Sequence, residues 1–351
     1  MDIELVSKTA SDRERFYLLE HNAAAIDFLK IATPIELCRL LHIRYSILLK
    51  LMSSNGYRCF TIPKKDGGIR EIESPGKRLK TVQQNLNYYL RMIYAYMKPK
   101  SSHGFVYCHP EDADSRSIIS NAWKHCGKKY VMNIDLQDFF HSIKGVRVKE
   151  LFSGNPFYFP DEVATCLALI CCFEKRLPVG APTSPIIANL ICLRLDKSLE
   201  KIASQQKMVY TRYADDLSFS SNSPFTKDKI EVIKSCIHQS GFEINTKKFR
   251  VQKNTSRQVV TGIKVNRFPN VDRRTIRNLR AVLYHWEKSG IEAASETYFL
   301  KHEFHGTDKL ESFKLSVSGK INFLRDVRGR NDRVYMKMKE KMDELVWREN
   351  S

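Results

Sequence analysis

The sequence predicts an α+β protein with a helical C-terminal part, and three observations lead to this class. β-prone runs flank the adjacent acids Asp215 and Asp216, and a further β-prone run ends at Asp135. Segments with helical periodicity separate these runs. From Asp272, which suits an N-cap, the pattern is helical and basic to the end of the chain. We therefore expect one domain boundary, near residues 266–271.

The composition is that of an ordinary globular protein, but the charge is not. Of 351 residues, 42% are hydrophobic and 28% charged, and 58 Lys and Arg against 39 Asp and Glu give a net charge of +19. This excess favours a polyanionic partner, either nucleic acid or an anionic membrane surface. The longest apolar run, around 163–173, is too short to span a bilayer, and the first residues lack the design of a signal peptide. We expect a cytoplasmic protein that binds nucleic acid and no membrane.

The nine cysteines are scattered along the chain and include the neighbours Cys171 and Cys172. No Cys-x-x-Cys pair is present, and no histidine spacing suits zinc. We interpret these residues as buried thiols in a reducing cytoplasm.

The N-terminal elements are predicted to be helices that serve packing. Residues 1–30 form a helical lead-in. Thr33-Pro34-Ile35-Glu36 is a capping box with proline at the first helical position. Apolar residues follow at helical spacing as far as Leu48, which predicts a single helix.

A β-hairpin is expected next, from strands over 57–62 and 69–74. Lys64 and Lys65 stand in its turn, and Arg70 follows the turn. These cations suit phosphate groups, and the alternative is a solvated basic turn.

The rest of the chain alternates helices and strands. A polar segment at 121–129 leads into a strand at 130–135. The other predicted elements are helices over 78–98, 140–154, 160–174, 186–203 and 227–240, a Pro- and Gly-rich loop over 177–185, a strand starting at 241–245, and a strand over 258–265 with a glycine bend. The helix after Asp272 carries four arginines, Arg273, Arg274, Arg277 and Arg280.

Two acidic positions stand on predicted β structure, Asp135 at a strand end and Asp215-Asp216 at a hairpin turn. Turns favour Asp for local reasons, so a solvated acidic turn is the alternative for the pair taken alone. If the strands lie side by side in one antiparallel sheet, the three carboxylates converge. Their oxygens suit hard cations such as Mg²⁺, and two such ions about 3.5–4 Å apart serve in-line phosphoryl transfer. This pattern predicts a two-magnesium site for polymerase chemistry.

Three motifs, in order, resemble the central motifs of reverse transcriptases. They are Asn133-Ile134-Asp135-Leu136-Gln137-Asp138-Phe139-Phe140, Leu177-Pro178-Val179-Gly180-Ala181-Pro182-Thr183-Ser184-Pro185 and Tyr213-Ala214-Asp215-Asp216. Within this superfamily the chain most resembles the bacterial retron reverse transcriptases. Asn121-Ala122-Trp123-Lys124-His125 fits their Asn-Ala-x-x-His pattern, and Val260-Thr261-Gly262 fits their Val-Thr-Gly signature.

The resemblance implies a right-hand polymerase fold with fingers, an antiparallel-sheet palm and a helical thumb. It covers roughly residues 55–330. On this basis residues 1–54 are an N-terminal helical lead-in and 55–130 are the fingers with a retron-specific region. Residues 131–268 are the palm, with part of the fingers and the catalytic site, and 269–351 are the helical basic thumb.

The resemblance also implies roles at the catalytic centre. Asp135 and Asp215 would ligate both metal ions, with Asp216 beside them and the backbone carbonyl of Leu136 as a further ligand. Phe140 matches the position that stacks under the incoming sugar and excludes a 2′-hydroxyl, which implies a preference for deoxynucleotides. Without the motif, a core phenylalanine is the alternative.

Further roles are implied for nucleotide binding. Gly180 and Ala181 have little side chain and would let nucleotide and template approach the backbone, while Val179 stands where most members have Gln. The cations Lys64, Lys65 and Arg70 of the hairpin would hold the triphosphate. Lys247 matches a lysine that donates a proton to pyrophosphate, and Lys248 is an equally near candidate.

A last set of residues is implied to contact RNA or primer. Asn121 and His125 would help recognise the retron's own noncoding RNA, or they would form a capped loop with a structural histidine. The Thr261-Gly262 turn would support the primer end, or be only a β bend. Arg273 and Arg277 would track the backbone of an RNA:DNA hybrid, unless they form a solvated helix face.

The resemblance implies a Mg²⁺-dependent RNA-directed DNA polymerase that copies a cognate noncoding RNA of the msr-msd type with deoxynucleoside triphosphates. It would prime from a 2′-hydroxyl of a guanosine in that RNA and leave branched RNA-linked single-stranded DNA (msDNA). Such systems commonly act in anti-phage defence with a separately encoded effector. The alternatives are another bacterial reverse transcriptase, of the group II intron or diversity-generating type, and a non-catalytic RNA-binding protein with a polymerase fold.

Overall fold

The structure is a computed structural model that describes residues 22–53, 56–64, 67–107, 116–300, 302, 304 and 307–350. Lys65, expected at the triphosphate, and residues 1–21 of the predicted lead-in lie outside this part of the chain. The chain divides into two compact units. The first comprises Met1–Arg116 and Met132–Val251, and the second comprises Ser117–Val131 and Gln252–Ser351.

Helices make up most of the described structure. They are α1 (Ala23–Leu29), α2 (Pro34–Leu40), α3 (Tyr45–Ser53), α4 (Lys77–Met97), α5 (Ile118–Trp123), α6 (Phe139–Ser142), α7 (Gly145–Ser153), α8 (Asp161–Cys171), α9 (Ser184–Ile191), α10 (Leu193–Gln205), α11 (Lys227–Gln239), α12 (Arg273–Phe299), α13 (Lys309–Arg328) and α14 (Arg333–Asn350). Helix α5 and helices α12–α14 belong to the second unit, and the others to the first.

The strands are short. They are β1 (Tyr57–Pro63), β2 (Ile69–Pro75), β3 (Tyr130–Asp135), β4 (Val209–Tyr213), β5 (Asp216–Ser221), β6 (Arg250–Lys253), β7 (Val259–Val260) and β8 (Ile263–Lys264). β1 pairs with β2, β7 with β8, and the other four form a sheet in the order β4-β5-β3-β6. The pairs β1–β2, β4–β5 and β7–β8 are antiparallel. This mixture of helices and antiparallel strands confirms the predicted α+β class.

The first unit has an apolar core to which α1–α4 and α6–α11 all contribute. Phe28 of α1 is fully buried and meets Phe157 and Phe159 edge to face, with ring centroids 6.1 and 5.2 Å apart. Burial of one such ring stabilises the fold by about 1.5–3 kcal/mol. The sheet that carries the predicted acids packs against these helices in the same core.

The second unit has its own core. Trp286 of α12 is buried, and its ring centroid lies 5.3 Å from that of Phe313 on α13. The indole nitrogen of Trp286 donates a hydrogen bond to Glu349 of α14 over 3.3 Å. The predicted N-cap is confirmed, because the Asp272 carboxylate accepts from the backbone N–H of Arg274 over 2.8 Å.

Three of the predicted helices are each split in two. The helix predicted over 140–154 is divided between α6 and α7, which end and begin on either side of Ile143 and Lys144. The helix predicted from Thr33 through Leu48 ends at Leu40, because His42 takes a left-handed backbone conformation with φ of 56°. A non-glycine residue at positive φ gives no clear signal in the sequence. The helix predicted over 186–203 is interrupted at Cys192, between α9 and α10.

Three other segments also differ from prediction. The segment over 258–265 is not one strand but a tight hairpin, since Thr261 and Gly262 both have positive φ, 47° and 82°. Residues 241–245 form only an isolated bridge, between Ile244 and Leu136. The polar segment expected from Asn121 starts inside helix α5.

The described cysteines are free thiols, and Cys38, Cys166, Cys171, Cys172 and Cys192 are buried. The prediction of burial is wrong for Cys59, which is exposed, and only partly met by Cys126 and Cys236, which are half-buried. Burial raises the pKa of Cys172 to about 12. No helix in the described part of the chain has the length and apolar character needed to cross a membrane.

Candidate active site

The predicted hairpin carries the adjacent acids at its turn. β4 and β5 pair from Val209 opposite Ser220 to Tyr213 opposite Asp216, which leaves a two-residue turn of Ala214 and Asp215. Ala214 has φ of 57°, a left-handed conformation that closes the turn. Asp215 is therefore held on the turn, and Asp216 begins the returning strand.

A fully buried ion pair between Arg212 and Asp196 holds this turn in place. Arg212 on β4 donates to the Asp196 carboxylate of α10 through Nε at 2.8 Å and Nη2 at 2.7 Å. Its Nη1 donates to the carbonyl of Ala214 over 3.1 Å and to the side chain of Asn189 over 3.0 Å. Tyr210 donates to the same carboxylate over 2.8 Å. The conformation of the acid turn is thus tied to a buried, charge-assisted network.

Gly104 also lies against this turn. A Cβ built at Gly104 would overlap the backbone nitrogen of Ala214, and the Gly104 carbonyl accepts a hydrogen bond from the side chain of Asn189 over 2.9 Å. Backbone atoms leave no room for even a methyl group at this position. Gly104 therefore sets how closely the preceding loop approaches the acid turn.

Substitution of Gly104 by alanine is expected to displace the acid turn and to lower DNA synthesis about 100-fold, because a misplacement of about 1 Å has that effect on a catalytic geometry. The measurement is primer extension under steady-state conditions. Gly319→Ala is the matched control, since a Cβ there, inside α13, meets nothing within 4 Å. Equal activities of the two variants would show that the contact with Ala214 is unimportant.

Asp135 lies beside the turn, at the end of β3 and next to β5 in the sheet. The backbone N–H of Leu136 donates to the carbonyl of Asp215 over 3.0 Å, which joins the two acidic segments directly. The buried Asp135 carboxylate accepts from Asn245 Nδ2 over 3.0 Å and from Lys248 Nζ over 2.9 Å. The predicted convergence of both acidic segments in one sheet is confirmed.

The three acids influence one another's ionisation. Partial removal from water, together with the charges of Asp215 and Asp135, raises the pKa of Asp216 to about 6, although the side chain keeps an exposed edge. The pKa of Asp215 is raised by burial and by Asp135, while Lys248 and Arg70 act in the opposite direction. Such mutual repulsion indicates a place where a cation is electrostatically favoured.

A metal ion fits the chemistry of these donors, since carboxylate oxygens are the ligands that Mg²⁺ prefers. Yet no group of three or more His, Cys, Asp or Glu side chains in the described ranges is arranged to hold a metal ion. Lys248 supplies the positive charge at Asp135 instead, and its own pKa is raised by that hydrogen bond. The two-ion site and the Leu136 carbonyl as a ligand stay predictions.

A second buried carboxylate, Glu73 on β2, joins the hairpin β1–β2 to the loop at 177–183. Its Oε1 accepts from Arg176 over 2.6 Å, and its Oε2 accepts from the N–H of Val179 over 3.1 Å and lies 3.1 Å from Nε2 of His141. The N–H of Glu73 donates to the carbonyl of Val179 over 2.7 Å. Burial opposes ionisation, but Arg176, His141 and the Val179 N–H together lower the pKa of Glu73.

The predicted nucleotide-binding residues of the loop lie beside Glu73. Gly180 has φ of 129°, and a Cβ there would come within 2.9 Å of the Glu73 carbonyl, so its missing side chain serves this strand contact. Ala181 is buried. Phe140 is half-buried, with its ring centroid 6.1 Å from that of Phe105.

Replacing Glu73 with alanine is expected to loosen the loop at 177–183 from β2 and to raise the KM for deoxynucleotide about tenfold, with a smaller change in kcat. Three hydrogen-bond donors would lose their acceptor at once. The measurement is primer extension at varied deoxynucleotide concentration. Glu71→Ala removes an exposed carboxylate from the same strand and should leave KM unchanged. A similar KM in both variants would contradict the role given to Glu73.

The predicted cations differ in how close they lie to the carboxylates. Arg70 and Lys64 are exposed, and Arg70 lies near enough to Asp215 to lower its pKa. Lys247 is exposed, whereas its neighbour Lys248 makes the contact with Asp135. Of the two lysines that the sequence left open, Lys248 is the one at the carboxylates.

In the second unit, the two retron signatures come together. The Thr261 hydroxyl, on the β7–β8 turn, donates to the carbonyl of Ile118 at the start of α5 over 3.2 Å. Helix α5 carries Asn121, and His125 follows it; both are fully buried. Within the described ranges, the side-chain amide atoms of Asn121 have no hydrogen-bond partner. Asn121 and His125 therefore lie inside this unit rather than on its surface.

The basic helix face is exposed as its charge requires. Arg273 and Arg277 on α12 are exposed, as are Arg274 and Arg280. This placement fits both the hybrid-binding and the solvated-face interpretations.

Several residues at the site were missed from sequence, namely Gly104, Asn189, Glu73, His141 and Asn245. They contact partners far away along the chain; Asn245 and Asp135, for example, are 110 residues apart. A buried acid in a strand whose first three residues are exposed, as Glu73 is in β2, has no distinct local signal in one sequence.

A family model described as reverse transcriptase (RNA-dependent DNA polymerase) matches residues 62–265, more than half of the chain. The matched range includes the acid turn, Asp135, Glu73 and the loop at 177–183. The chain therefore belongs to the reverse transcriptase family.

The similar curated proteins are retron reverse transcriptases. Retron Mx65 reverse transcriptase of Myxococcus xanthus is 33% identical over 253 residues, 66% of this chain and 56% of that protein. Retron Ec86 reverse transcriptase of Escherichia coli is 33% identical over 234 residues, 65% of this chain and 69% of that protein. The aligned part thus spans about half to two thirds of these relatives. The predicted relationship to bacterial retron reverse transcriptases is confirmed.

A structure of telomerase from Candida albicans with a fragment of telomeric RNA aligns with 85% of this chain and 64% of its own, at a TM-score of 0.48 and 11% identity.

Proposed function

We propose that this protein is a retron-type RNA-directed DNA polymerase that copies its cognate structured RNA with deoxynucleoside triphosphates. The observation that carries this proposal is the meeting of Asp135 with the Asp215-Asp216 turn in one sheet, within a chain of the reverse transcriptase family. The excess of cations, +19, suits the RNA and its DNA product.

Different residues of the first unit have different roles in the proposed nucleotidyl transfer. Members of the family use divalent metals, and two such ions, when bound, would activate the attacking 3′-oxygen and stabilise the leaving pyrophosphate. Asp135, Asp215 and Asp216 hold the negative charge that binds them. Arg70 and Lys64 offer their exposed cations to the triphosphate. Phe140 stands in the motif position that excludes a 2′-hydroxyl.

We extend the proposal to the product and its use. Priming from a 2′-hydroxyl of a guanosine in the RNA would leave branched RNA-linked single-stranded DNA, in a cytoplasmic system that defends against phage with a separate effector protein. The support is the similarity to retron reverse transcriptases and the junction of the two retron signatures in the second unit.

Primer extension with the wild-type protein tests the proposal. Purified protein, Mg²⁺ and deoxynucleotides are supplied with a generic primed RNA template, and chelation of the metal is the control. The noncoding RNA encoded beside the gene is then supplied without primer. DNA synthesis on the first template and a branched product on the second are expected.

Two other outcomes of this experiment would favour the two alternative functions. Synthesis on the primed template alone would favour another type of bacterial reverse transcriptase. No synthesis on either template, with RNA binding intact, would leave the non-catalytic RNA-binding protein.

A further inference from the structure

A groove in the first unit, formed largely by α4, has a volume of about 590 Å³ and no assigned role. Tyr88, Arg91 and Tyr96 line it from one side of the helix, together with Lys98 beyond the helix end and Tyr107. The opposite side of α4 is apolar and buried, with Leu86, Leu90 and Ile93 in the core. The groove is thus the polar and aromatic side of an amphipathic helix.

The first unusual feature of the groove is its exposed aromatic rings. The exposed fractions of Tyr88, Tyr107 and Tyr96 are 58%, 54% and 38%, whereas Tyr94, on the buried side, is 1% exposed. Rings that remain open to solvent offer flat faces, and unpaired nucleic-acid bases stack on such faces.

The second feature is the charge of the groove. The guanidinium of Arg91 lies over the ring of Tyr107, 5.8 Å from its centroid, and Lys98 adds a second cation. The described residues that line the groove include no Asp or Glu. A cation next to a solvent-accessible ring can bind a phosphate while the base of the same nucleotide stacks on the ring.

The third feature is a buried amide oxygen, that of Asn87, for which the described part of the chain offers no hydrogen-bond donor. Asn87, between the exposed residues and the core, is 8% exposed, and its Oδ1 has no hydrogen-bond partner among the residues that the structure describes. A buried acceptor without a hydrogen bond destabilises the unliganded protein. A ligand that supplies an N–H or O–H donor in the groove would remove this destabilisation.

We propose that this groove binds an unpaired segment of RNA. Bases stack on Tyr88 and Tyr107, phosphates lie at Arg91 and Lys98, and Asn87 accepts from a ribose 2′-hydroxyl. RNA is favoured over DNA because the 2′-hydroxyl supplies the donor that Asn87 lacks. The choice of RNA also rests on the proposed function, in which a structured RNA is held by this chain.

The test uses the full chain and a 12-nucleotide unstructured RNA that contains 4-thiouridine. Binding is followed by fluorescence anisotropy, and the cross-linked peptide is identified by mass spectrometry. A Tyr88→Ala/Arg91→Ala variant should bind this RNA about tenfold more weakly or worse, because base stacking and a phosphate contact are both lost. The cross-link should fall on the peptide that contains α4. Thermal unfolding checks that the variant is folded.

Arg44→Ala/Tyr45→Ala is the matched control, since it removes the same two groups from another exposed surface. Its affinity should equal that of the wild type. Equal affinity of the Tyr88/Arg91 variant and the wild type would overturn the proposal. An equal loss on fully duplex RNA, a tighter complex with single-stranded DNA, or a cross-link only outside α4 would do the same.

The two proposals fail separately. Groove binding is measured without deoxynucleotides, whereas the proposed function is measured by DNA synthesis. A chain that cross-links through α4 but makes no DNA would support RNA binding in the groove and contradict the proposed polymerase function.

Discussion

An Asp215→Asn variant is expected to fold normally and to lose DNA synthesis by about 1,000-fold or more. The carboxylate stands on the two-residue turn, next to Asp135 and Asp216. The substitution keeps the size of the side chain and removes a charge that, under the proposed function, would bind metal ions. Such ions contribute several kcal/mol to stabilising the transition state of phosphoryl transfer. The measurement is single-nucleotide primer extension, with RNA binding measured in parallel.

Removal of the charge should also relieve repulsion within the site, since the charge of Asp215 raises the pKa of Asp216. We therefore expect no loss of thermal stability in this variant. Asp228→Asn, at the start of α11, is the matched exposed control and should remain fully active. Residual synthesis near the wild-type rate in Asp215→Asn would remove this carboxylate from the catalytic machinery.

The second large effect is expected on stability, at Asp196. An Asp196→Ala variant would leave the guanidinium of Arg212 buried without its counter-charge, and both side chains are fully buried. Removal of one partner from such a pair costs about 3–5 kcal/mol. We expect the free energy of unfolding to fall by that amount, measured by urea denaturation.

DNA synthesis should fall as well, because Arg212 also holds the carbonyl of Ala214 in the acid turn. Asp161→Ala is the control, since its ion pair with Lys149 is at the surface and should contribute little. A denaturation midpoint shared by the Asp196 and Asp161 variants would show that the buried pair does not stabilise the fold.

The sequence predicted the elements of the site because local patterns define them. Alternating β-prone residues gave both hairpins, and a strand ending in an acid gave Asp135. The convergence of the three carboxylates was predicted on the condition that the two acidic segments lie side by side in one sheet, and the structure meets that condition. Each of these inferences uses residues close together in the chain.

The contacts that organise the site could not be predicted in the same way. Glu73 and Arg176 are 103 residues apart, and Lys248 and Asp135 are 113 apart. Their meeting depends on how helices and strands pack, and a single sequence does not report that packing. The break at His42 was missed for a different reason, because its left-handed conformation is imposed by tertiary structure on an otherwise regular helical pattern.

The buried pair of Asp196 and Arg212 has an evolutionary consequence. A lineage that loses either charge first must pass through an unstable intermediate, whereas replacement of both by apolar residues of similar volume is often neutral. Among homologous chains, these two positions should therefore usually change together. Exchange of one charge alone should be found only where a neighbouring substitution, for instance at Tyr210 or Asn189, has already changed the surroundings of the other.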